Sequence, residues 1–549
     1  MPITAITIEN FKGIRGPVRI ELRPITLLFG PNSSGKSTII QALHYAHEIL
    51  ERENVDPGRT LLGGTLLDLG GFESVLHNHD LSLPIVMRFE LDMEHEDLPS
   101  YYEGYEEYEV LQLTEAVEGE ELLDSISRVQ KAWVEVSIRW SHLLSKPILS
   151  SYKVGLNGVD FSEINTSEDS HQIYISQINP IHPIFLQNLT LDEAKEILLD
   201  SLTDSNSSET DFTKLGLMLP TLWSICDFTG GVPGTTKNLN LVNQKSALPR
   251  WEHCLVFDRE IFSADSEWEL EASFVTTLSS LVVGPGEILR DALRNFLYLG
   301  PLREIPSRTY EPARSPDESR WASGIAAWDV LLKAEPSFVE KVNGWLARED
   351  RLNSGYNIEV NQYKELDINS PLMLALLEGR VLDEDDSIEA AGVLPTKKRL
   401  VLREDTSGIE VMAQDVGVGI SQIVPVIVAA LHSKSGIVVI EQPELHIHPA
   451  FQVALGDLFI SEIAQKDVTF LIETHSEHLL LRLLRRIRET HEDELPPGVT
   501  GLTPNELAVY YVEKDDDGVR VSELKVSEDG DSEGRWPDGF FEERHGELY

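Results

Sequence analysis

The chain has 549 residues, 41% of them hydrophobic. This length favours two or three domains, and the apolar content is sufficient for packed cores, so a wholly disordered protein is excluded. The charge is unusual, because 46 basic residues stand against 92 acidic ones and give a formal net charge of −46 at pH 7.

Negative charge on this scale bears on the choice of partners. It repels phosphate backbones at long range, and therefore disfavours nucleic acid, although a local basic groove can override the average. The acidity is also concentrated, because no Lys or Arg occurs between Arg88 and Arg128, where Glu94, Glu96 and Glu106 lie. Two interpretations stay open for this stretch: a solvated acidic loop, or a docking surface for a basic partner.

Neither a membrane segment nor a secretion signal is evident. The longest apolar run, residues 423–431, is interrupted by Pro425 and is far shorter than the roughly 20 residues of a membrane span. The first residues, MPITAITIENFKGI, lack the basic and apolar regions of a signal peptide. Cys226 and Cys254 have no CxxC spacing, so we interpret them as small buried hydrophobic residues. We expect a cytoplasmic protein.

The amino-terminal part alternates between short strands and one helix. Apolar patterning predicts strands at residues 3–9, 18–22 and 25–29, then a glycine-rich loop and a helix from Lys36 to about Leu50. Strand-like segments follow at residues 83–91, 132–140, 150–158 and 171–178, separated by polar or glycine turns. Turns between short strands favour an antiparallel sheet.

The remaining chain divides by pattern. Residues 185–295 show helical periodicity broken by polar loops, residues 296–512 alternate strands and helices, and the tail is acidic. The predicted domains are therefore a first lobe at 1–180, a mainly helical insertion at 181–295, a second lobe at 296–512 and an acidic extension at 513–549. The expected fold class is α/β with an antiparallel β subdomain.

Residues 30–38, GPNSSGKST, lie between an apolar strand and a helix and match G-x-x-x-x-G-K-[ST] in the context that this motif requires. Glycines let backbone N–H groups surround a β-phosphate, and the helix amino terminus adds its dipole. Lys36 is expected to bridge the β- and γ-phosphates, and the Ser37 hydroxyl to bind Mg²⁺. The residues predicted to contact ATP here are Gly30, Pro31, Asn32, Ser33, Ser34, Gly35, Lys36, Ser37 and Thr38.

A second motif, SGIVVIEQPELHIHP at residues 435–449, begins with a buried strand of the kind found in parallel sheets. That strand delivers Glu441 to its carboxyl end, where sites lie in open α/β sheets, and Glu441 is the expected magnesium carboxylate. Gln442 and Glu444 follow at the same end. His446 and His448 are interpreted as polar loop residues rather than a metal pair, since no third ligand is evident.

Two further segments complete the pattern. In LIETHSEHLL, residues 471–480, another apolar strand leads to His475, which is placed to donate to a γ-phosphate or to orient water. In DVGVGISQIVPVIVAAL, residues 415–431, Ser421 can cap an apolar helix and so form a second anion site. One nucleotide does not need two helix termini from one chain, so the pattern suggests that Ser421 reaches ATP bound by a partner subunit. An ordinary capped helix is the alternative.

These strings resemble known ATPases. ITIENFKGI followed by ITLLFGPNSSGKSTIIQAL resembles the amino terminus of ABC-type ATPases of the SMC, RecF and OLD-like branch. GISQ, EQPELHIHP, ETHSEHL with RRI, YLGPLRE and WPDGFF resemble a narrower group of bacterial predicted AAA-family ATPases. The resemblance covers both ends and residues 296–549, more than half the chain.

The resemblance implies an ABC-type head that dimerises around two ATP molecules. It implies Lys36 and Ser37 as Walker A contacts, Glu441 as the Walker B acid, Ser421 as the signature serine and His475 as the switch histidine. It extends the expected ATP contacts to Lys12, Gly419 and Gln422.

Three features depart from the family pattern. The signature is V-G-I-S-Q, the position after the Walker B acid is Gln442 rather than glutamate, and residues 68–80 offer no evident glutamine-loop residue. Glutamine cannot accept a proton from water, so either Glu444 is the base or ATP acts mainly as a dimer clamp.

Three functions remain in competition. The first is a slow ATPase switch, a homodimer or higher even oligomer, working in DNA maintenance or anti-phage defence with a separate nuclease or toxin. The second is a non-hydrolysing scaffold that engages a basic protein. The third, a self-contained OLD-like nuclease, is disfavoured because only 74 residues follow His475. The acidic run DEDD at residues 383–386 is interpreted as an acidic loop rather than a metal site.

Overall fold

The structure is a computed structural model. It describes residues 2–60, 68–101, 126–179, 182–185, 193, 238–258, 268–315, 317–370, 373–374, 377–379 and 396–533. The chain forms two compact units. The first comprises Met1–Phe296, Ser435–Ile437 and Ala508–Lys525, and the second comprises Leu297–Lys434, Val438–Leu507 and Val526–Tyr549.

Helices and strands alternate along most of the described chain. Up to residue 296 the elements are β1 (Ile3–Glu9), β2 (Val18–Glu21), β3 (Ile25–Phe29), α1 (Lys36–Arg52), α2 (Phe72–Val75), β4 (Ile85–Asp92), β5 (Lys131–Ser141), β6 (Lys146–Leu156), β7 (Val159–Thr166), β8 (Ile173–Ile178), β9 (Leu239–Leu241), α3 (Trp268–Val282) and α4 (Gly284–Arg294). From residue 297 they are β10 (Leu297–Leu299), α5 (Ile325–Lys333), α6 (Pro336–Leu346), β11 (Tyr356–Lys364), β12 (Thr396–Glu404), β13 (Glu410–Val411), α7 (Val418–His432), β14 (Ser435–Glu441), α8 (Pro449–Ile463), β15 (Asp467–Glu473), α9 (Glu477–His491), β16 (Leu507–Asp515), β17 (Gly518–Glu523), β18 (Lys525–Val526) and β19 (Ser532–Glu533).

An eight-stranded sheet dominates the first unit. Its spatial order is β2-β1-β4-β5-β6-β7-β8-β9, and its pairings are antiparallel. Side chains alternate between buried and half-exposed along β4, as expected for a sheet with one covered face. Trp133 on β5 lies directly opposite Gly155 on β6, and its indole covers the space where a Cβ would stand.

The first unit also contains the strand that leads to the glycine-rich loop. All five residues of β3 are buried, and β3 neighbours β16, which pairs with β17 as an antiparallel hairpin. Helix α1 packs against the interior, with Tyr45 stacked on Phe11. The hairpin from the far end of the chain thus lies beside the strand that precedes the loop.

In the second unit, β10, β14 and β15 are neighbours in that order. β10 and β14 run parallel, with Tyr298 opposite Val439 and Leu299 opposite Ile440. The largely buried helix α7 packs against α5, α6 and α8. A separate three-stranded antiparallel sheet joins β11, β12 and β13.

The predicted fold class is confirmed, because the structure is α/β with a large antiparallel sheet. The predicted strands and the helix from Lys36 are present within a few residues of their expected ends, except that the third antiparallel strand begins four residues earlier, at Lys146. The sequence patterns missed β7 and β9. The predicted boundary between residues 512 and 513 falls inside β16.

Several sequence features lie outside the described residues. They are most of the acidic stretch after Arg88, most of the predicted helical insertion, DEDD at 383–386, Cys226, and WPDGFF. Cys254 is described, and its thiol donates to the Tyr101 carbonyl at 3.1 Å. Among the helices that the structure describes, none combines the length and hydrophobicity that a membrane span requires.

Candidate nucleotide-binding site

The loop between β3 and α1 has the backbone that its glycines predict. Gly30 and Gly35 adopt φ angles of 143° and 109°, a region that side chains disfavour. A Cβ on Gly30 would stand 2.0 Å from the Val512 carbonyl oxygen, and one on Gly35 would stand 2.5 Å from a methyl of Val519. Glycine is therefore required at both positions by conformation and by the packing of the β16–β17 hairpin.

The lysine of this loop is turned inward. Lys36 is only 3% exposed, and its Nζ donates to the carbonyl oxygens of Gly30 and Pro31, both at 2.9 Å. The hydroxyl of Ser34 is buried and has no hydrogen-bond partner among the described residues. The buried Lys36 ammonium and the unsatisfied Ser34 hydroxyl lie at the amino terminus of α1. A phosphate group suits this position, because it accepts hydrogen bonds from both.

The other predicted loop contacts occupy two environments. Pro31, Asn32 and Ser33 are exposed, whereas Ser37 and Thr38 lie half-buried in the first turn of α1. The Ser37 hydroxyl and the Glu441 carboxylate offer the oxygen ligands that Mg²⁺ prefers.

Lys12 lies in the turn after β1, beside α1. Its φ is 49°, and its Nζ donates to Oε1 of Gln41 at 2.6 Å. Burial lowers the pKa of Lys12, while the charge of Asp68 opposes that effect. The amine is thus engaged with α1, and a contact with ATP stays a prediction.

In the second unit, the parallel pairing of β10 with β14 places Tyr298 beside Glu441. The Tyr298 hydroxyl donates to Oε1 of Glu441 at 3.0 Å, and both side chains are buried. Burial raises the pKa of Tyr298, and the negative charge of Glu441 raises it further. Tyr298 therefore stays a hydrogen-bond donor that fixes one oxygen of the predicted Walker B acid.

Arg303, which the sequence patterns did not single out, lies at the centre of this region. Its NH2 donates to the carbonyl oxygens of Glu441 at 2.7 Å and Gln442 at 3.2 Å, and its own carbonyl accepts from Nε2 of Gln422 at 2.8 Å. Burial lowers the pKa of Arg303 to about 10, against the charges of Glu444 and Glu441, so it stays protonated at pH 7. The available signal was an arginine four residues after the short apolar strand β10.

The chain turns sharply after Glu441. Gln442 has a φ of 45°, and its N–H donates to the Glu473 carbonyl at 2.7 Å. A non-glycine residue at positive φ costs on the order of 1–3 kcal/mol and persists where surrounding contacts fix it. β14 therefore ends at Glu441, before Pro443, and Glu444 turns toward the end of β15.

Glu444 joins the ends of the two strands. Its carboxylate accepts from the Thr474 hydroxyl at 2.8 Å and from the His475 N–H at 2.6 Å. Burial raises the pKa of Glu444, and this effect exceeds the lowering by these hydrogen bonds and by the charge of Arg303. A raised pKa makes a carboxylate a stronger proton acceptor, as a general base requires.

The histidines of the region differ in role. His475 is exposed at the end of β15, while Ser476 caps α9 by accepting from the Leu479 N–H at 3.0 Å. Nδ1 of His448 accepts from the Ala450 N–H at 3.2 Å and so caps α8. Neither His448 nor His446 belongs to a group of three potential metal-binding side chains among the described residues.

The prediction that Ser421 caps its helix is wrong. α7 begins one turn earlier, at Val418, with Gly417 as its cap. Gly419, which was expected to form a turn before the helix, is part of the helix itself. Ser421 is only 1% exposed, and its hydroxyl donates to the Ala413 carbonyl at 2.6 Å. Val418 at the helix start is 52% exposed.

The structure thus brings one set of predicted residues together. Glu441, Gln442, Glu444, His475 and Gln422 lie in one network of the second unit, centred on Arg303. Gly419 packs under the His446 carbonyl at the start of α7. The glycine-rich loop and Lys12 belong to the first unit.

Comparisons with known proteins agree with these motifs. A family model described as an AAA domain, putative AbiEii toxin, type IV TA system, matches residues 298–482, and an AAA ATPase domain model matches residues 1–78. A model of a protein family of unknown function matches residues 502–549. The DNA replication and repair protein RecF of Chlorobium phaeobacteroides is 37% identical over 81 residues, which span 13% of this chain and 22% of RecF.

Solved structures of SMC heads align over 96% of the chain at low similarity. A head bound to the C-winged helix domain of ScpA gives a TM-score of 0.37 at 9% identity and is covered over 98% of its length. The head of Thermotoga maritima gives 0.35 at 9% identity and is covered completely. These TM-scores are too low to establish a shared fold.

The geometry of the glycine-rich loop and the sequence relatives point to the same class of protein, an ATPase. The AAA matches cover the glycine-rich loop at one end and the Glu441 network at the other. The matches show AAA-type ATPase domains over residues 1–78 and 298–482, in keeping with the resemblance to SMC, RecF and OLD-like ATPases.

Proposed function

We propose that this protein binds ATP with Mg²⁺, closes as a dimer around it and hydrolyses it slowly, as a switch for a separate effector. The observation that carries the proposal is the buried Lys36 amine inside a loop whose glycines cannot be replaced. The Lys36 amine donates to two carbonyl oxygens. The oxygens of a triphosphate are charged, so the same amine would form stronger hydrogen bonds with them.

The first unit would hold the phosphates. Lys36 would contact the β- and γ-phosphates, Ser34 would donate its unsatisfied hydroxyl, and the first turn of α1 would add N–H groups. Ser37 and Glu441 would hold Mg²⁺, which neutralises charge on the phosphates when bound. Tyr298 donates to the Glu441 carboxylate, and Arg303 donates to the backbone carbonyl of Glu441. Both hydrogen bonds support this role, because they fix the orientation of the carboxylate.

Dimerisation is proposed through the start of α7, in agreement with the ABC resemblance. Gly417 and Val418 are exposed there, and the first N–H groups of a helix favour an anion. Because Ser421 is buried, the contact with the partner's ATP is assigned to the backbone of Val418 and Gly419. Ser421 would support that turn through Ala413, and Gln422 would tie it to Arg303.

For hydrolysis, Glu444 is the proposed base and His475 and Gln442 would orient water. The hydrogen bonds of Glu444 to Thr474 and His475 hold its carboxylate at the strand ends. The same hydrogen bonds support a second candidate, a clamp that binds ATP without hydrolysis, because they occupy both carboxylate oxygens. In that case the acidic surface of the protein would engage a basic partner.

The cellular role is proposed from the relatives. RecF is named for DNA replication and repair, and the AAA model for a putative toxin system, so DNA maintenance or anti-phage defence with a nuclease or toxin effector fits both. The net charge of −46 favours a protein effector over direct binding of nucleic acid.

The loop assignment predicts that Lys36→Ala abolishes tight ATP binding. Losing two charge-assisted hydrogen bonds, each of about 1.5–3 kcal/mol, should weaken the affinity about a hundredfold or more. Isothermal titration calorimetry measures this, with Lys153→Ala on the antiparallel sheet as the matched control. Unchanged affinity in Lys36→Ala would reject the site.

The dimer assignment predicts that Val418→Glu binds ATP normally but no longer associates with ATP present. The side chain is exposed and an acid is tolerated in a first helical turn, so the fold should persist while the new charge repels the partner's phosphates. The control is Val418→Gln, which introduces a neutral side chain of the same size as glutamate. Light scattering with Mg²⁺ and ATP decides, and a dimer of Val418→Glu at wild-type concentrations would exclude this surface.

The base assignment predicts that Glu444→Gln binds ATP but releases phosphate at least a hundredfold more slowly, within the usual range for a lost general base. Because the pKa of Glu444 is raised, wild-type turnover should increase as pH rises through that pKa, and this limb should vanish in the variant. Gln442→Glu should speed hydrolysis if position 442 faces the water.

Steady-state phosphate release against pH provides the measurement, with the exposed Glu492→Gln as the control. A wild-type rate in Glu444→Gln would show that Glu444 is not the base. Absence of turnover in the wild type, with ATP bound, would favour the clamp.

A further inference from the structure

A second polar cavity lies in the second unit, away from the residues assigned to ATP. Its volume is about 320 Å³, within the range of small-molecule sites. Helices α6, α8 and α9 and the loops at 347–354 and 496–500 supply its walls. Four arginines line it, together with two aspartates: Arg348, Arg351, Arg482, Arg486, Asp350 and Asp457.

The carboxylates leave part of this positive charge uncompensated. Arg348 pairs with Asp350 at 2.7 Å, and Arg486 pairs with Asp457 at 2.7 Å. Arg482 shares Asp457 with Arg486, at 3.3 Å. The lining therefore carries an excess of two positive charges, one on Arg351 and the other shared by Arg482 and Arg486. Glu489, outside the lining, pairs with Arg486 and also with Arg485, so it does not remove this excess.

Arg351 has no carboxylate within ion-pair distance among the described residues. Its guanidinium stacks on the ring of Trp345, 3.9 Å from the centroid, and NH1 donates to the Gly344 carbonyl at 3.3 Å. Stacking leaves the edge of a guanidinium free to donate in its own plane. Trp345 thus positions the Arg351 guanidinium at the wall of the cavity.

The arginines also destabilise one another. Burial lowers the pKa of Arg351 and of Arg482. The charges of Arg348 on the first and Arg486 on the second act in the same direction, against the opposing charges of Asp350 and Asp457. A bound anion would relieve this repulsion. Such a cluster is notable in a chain with twice as many acidic as basic residues.

We propose that this cavity binds a small phosphate-bearing molecule, with Arg351 and Arg482 as its principal donors. A phosphate group carries about −1.5 to −2 charges at pH 7, which matches the excess on the lining, whereas one carboxylate would leave it half-compensated. Guanidinium forks pair with phosphate oxygens in bidentate geometry. The Ser461 and Thr500 side chains also line the cavity and add hydroxyl groups.

The proposal does not depend on the proposed ATPase function, since it uses none of the same residues. The experiment uses the full chain carrying Lys36→Ala, so that phosphate binding in the glycine-rich loop is removed. Pyrophosphate is titrated by calorimetry. Saturable binding is expected, weakened at least tenfold by Arg351→Met or Arg482→Met and unchanged by Arg488→Met, an exposed arginine on α9 outside the lining.

A second measurement needs no substitution in the cavity. Phenylglyoxal modifies accessible arginines, and mass spectrometry reads each site. Pyrophosphate should protect Arg351 and Arg482 but leave Arg488 equally reactive. No pyrophosphate binding to the Lys36→Ala protein, or binding that neither protects these arginines nor requires them, would overturn the proposal and leave the cluster as a structural ion-pair network.

Discussion

The second unit depends on compensating the buried positive charge of Arg303. Arg303 is 5% exposed, and burying an unpaired ion costs several kcal/mol. Two backbone carbonyls at the end of β14, those of Glu441 and Gln442, and the charges of Glu441 and Glu444 provide compensation, and this fixes where the chain turns. The strained backbone of Gln442 is a consequence, because the Arg303 and Glu473 contacts hold that residue from both sides.

This arrangement links the strand ends to α7. Gln422 on α7 donates to the Arg303 carbonyl, and Arg303 donates to the Gln442 carbonyl. A shift of α7 would therefore move Arg303 and, through it, the residues after Glu441. Nε and NH1 of Arg303 have no hydrogen-bond partner among the described residues, so the guanidinium retains donor capacity. Arg303 is therefore suited to link the proposed catalytic residues to the proposed dimer contact at the start of α7.

The first unit depends on a different constraint, the close packing of the glycine-rich loop. The hairpin β16–β17 comes from near the end of the chain, yet Val512 and Val519 lie where a Cβ on Gly30 or Gly35 would stand. The loop is therefore held by packing from behind as well as by its own backbone preferences. A loop shaped before a ligand arrives loses less entropy on binding.

The sequence predicted what short-range patterns encode, and the loop, β3, α1 and the ends of β14 and β15 appear where expected. It could not predict Arg303, because that role arises only when β10 pairs with β14 and α7 packs alongside. Ser421 was misplaced because two glycines were interpreted as a turn, whereas tertiary packing carries α7 back to Val418. The cavity around Arg351 was equally hidden, since its arginines lie more than 100 residues apart in the chain.

The central proposal is that Glu441 supplies the carboxylate for the Mg²⁺ that accompanies ATP bound at Lys36. ATP affinity, measured with and without Mg²⁺ in the wild type and in Glu441→Gln, tests it most directly. Glutamine keeps the acceptor for Tyr298 but loses the charge that favours the cation. We expect equal affinities without Mg²⁺, and an at least tenfold gain with Mg²⁺ only in the wild type. An equal gain in both proteins would contradict it.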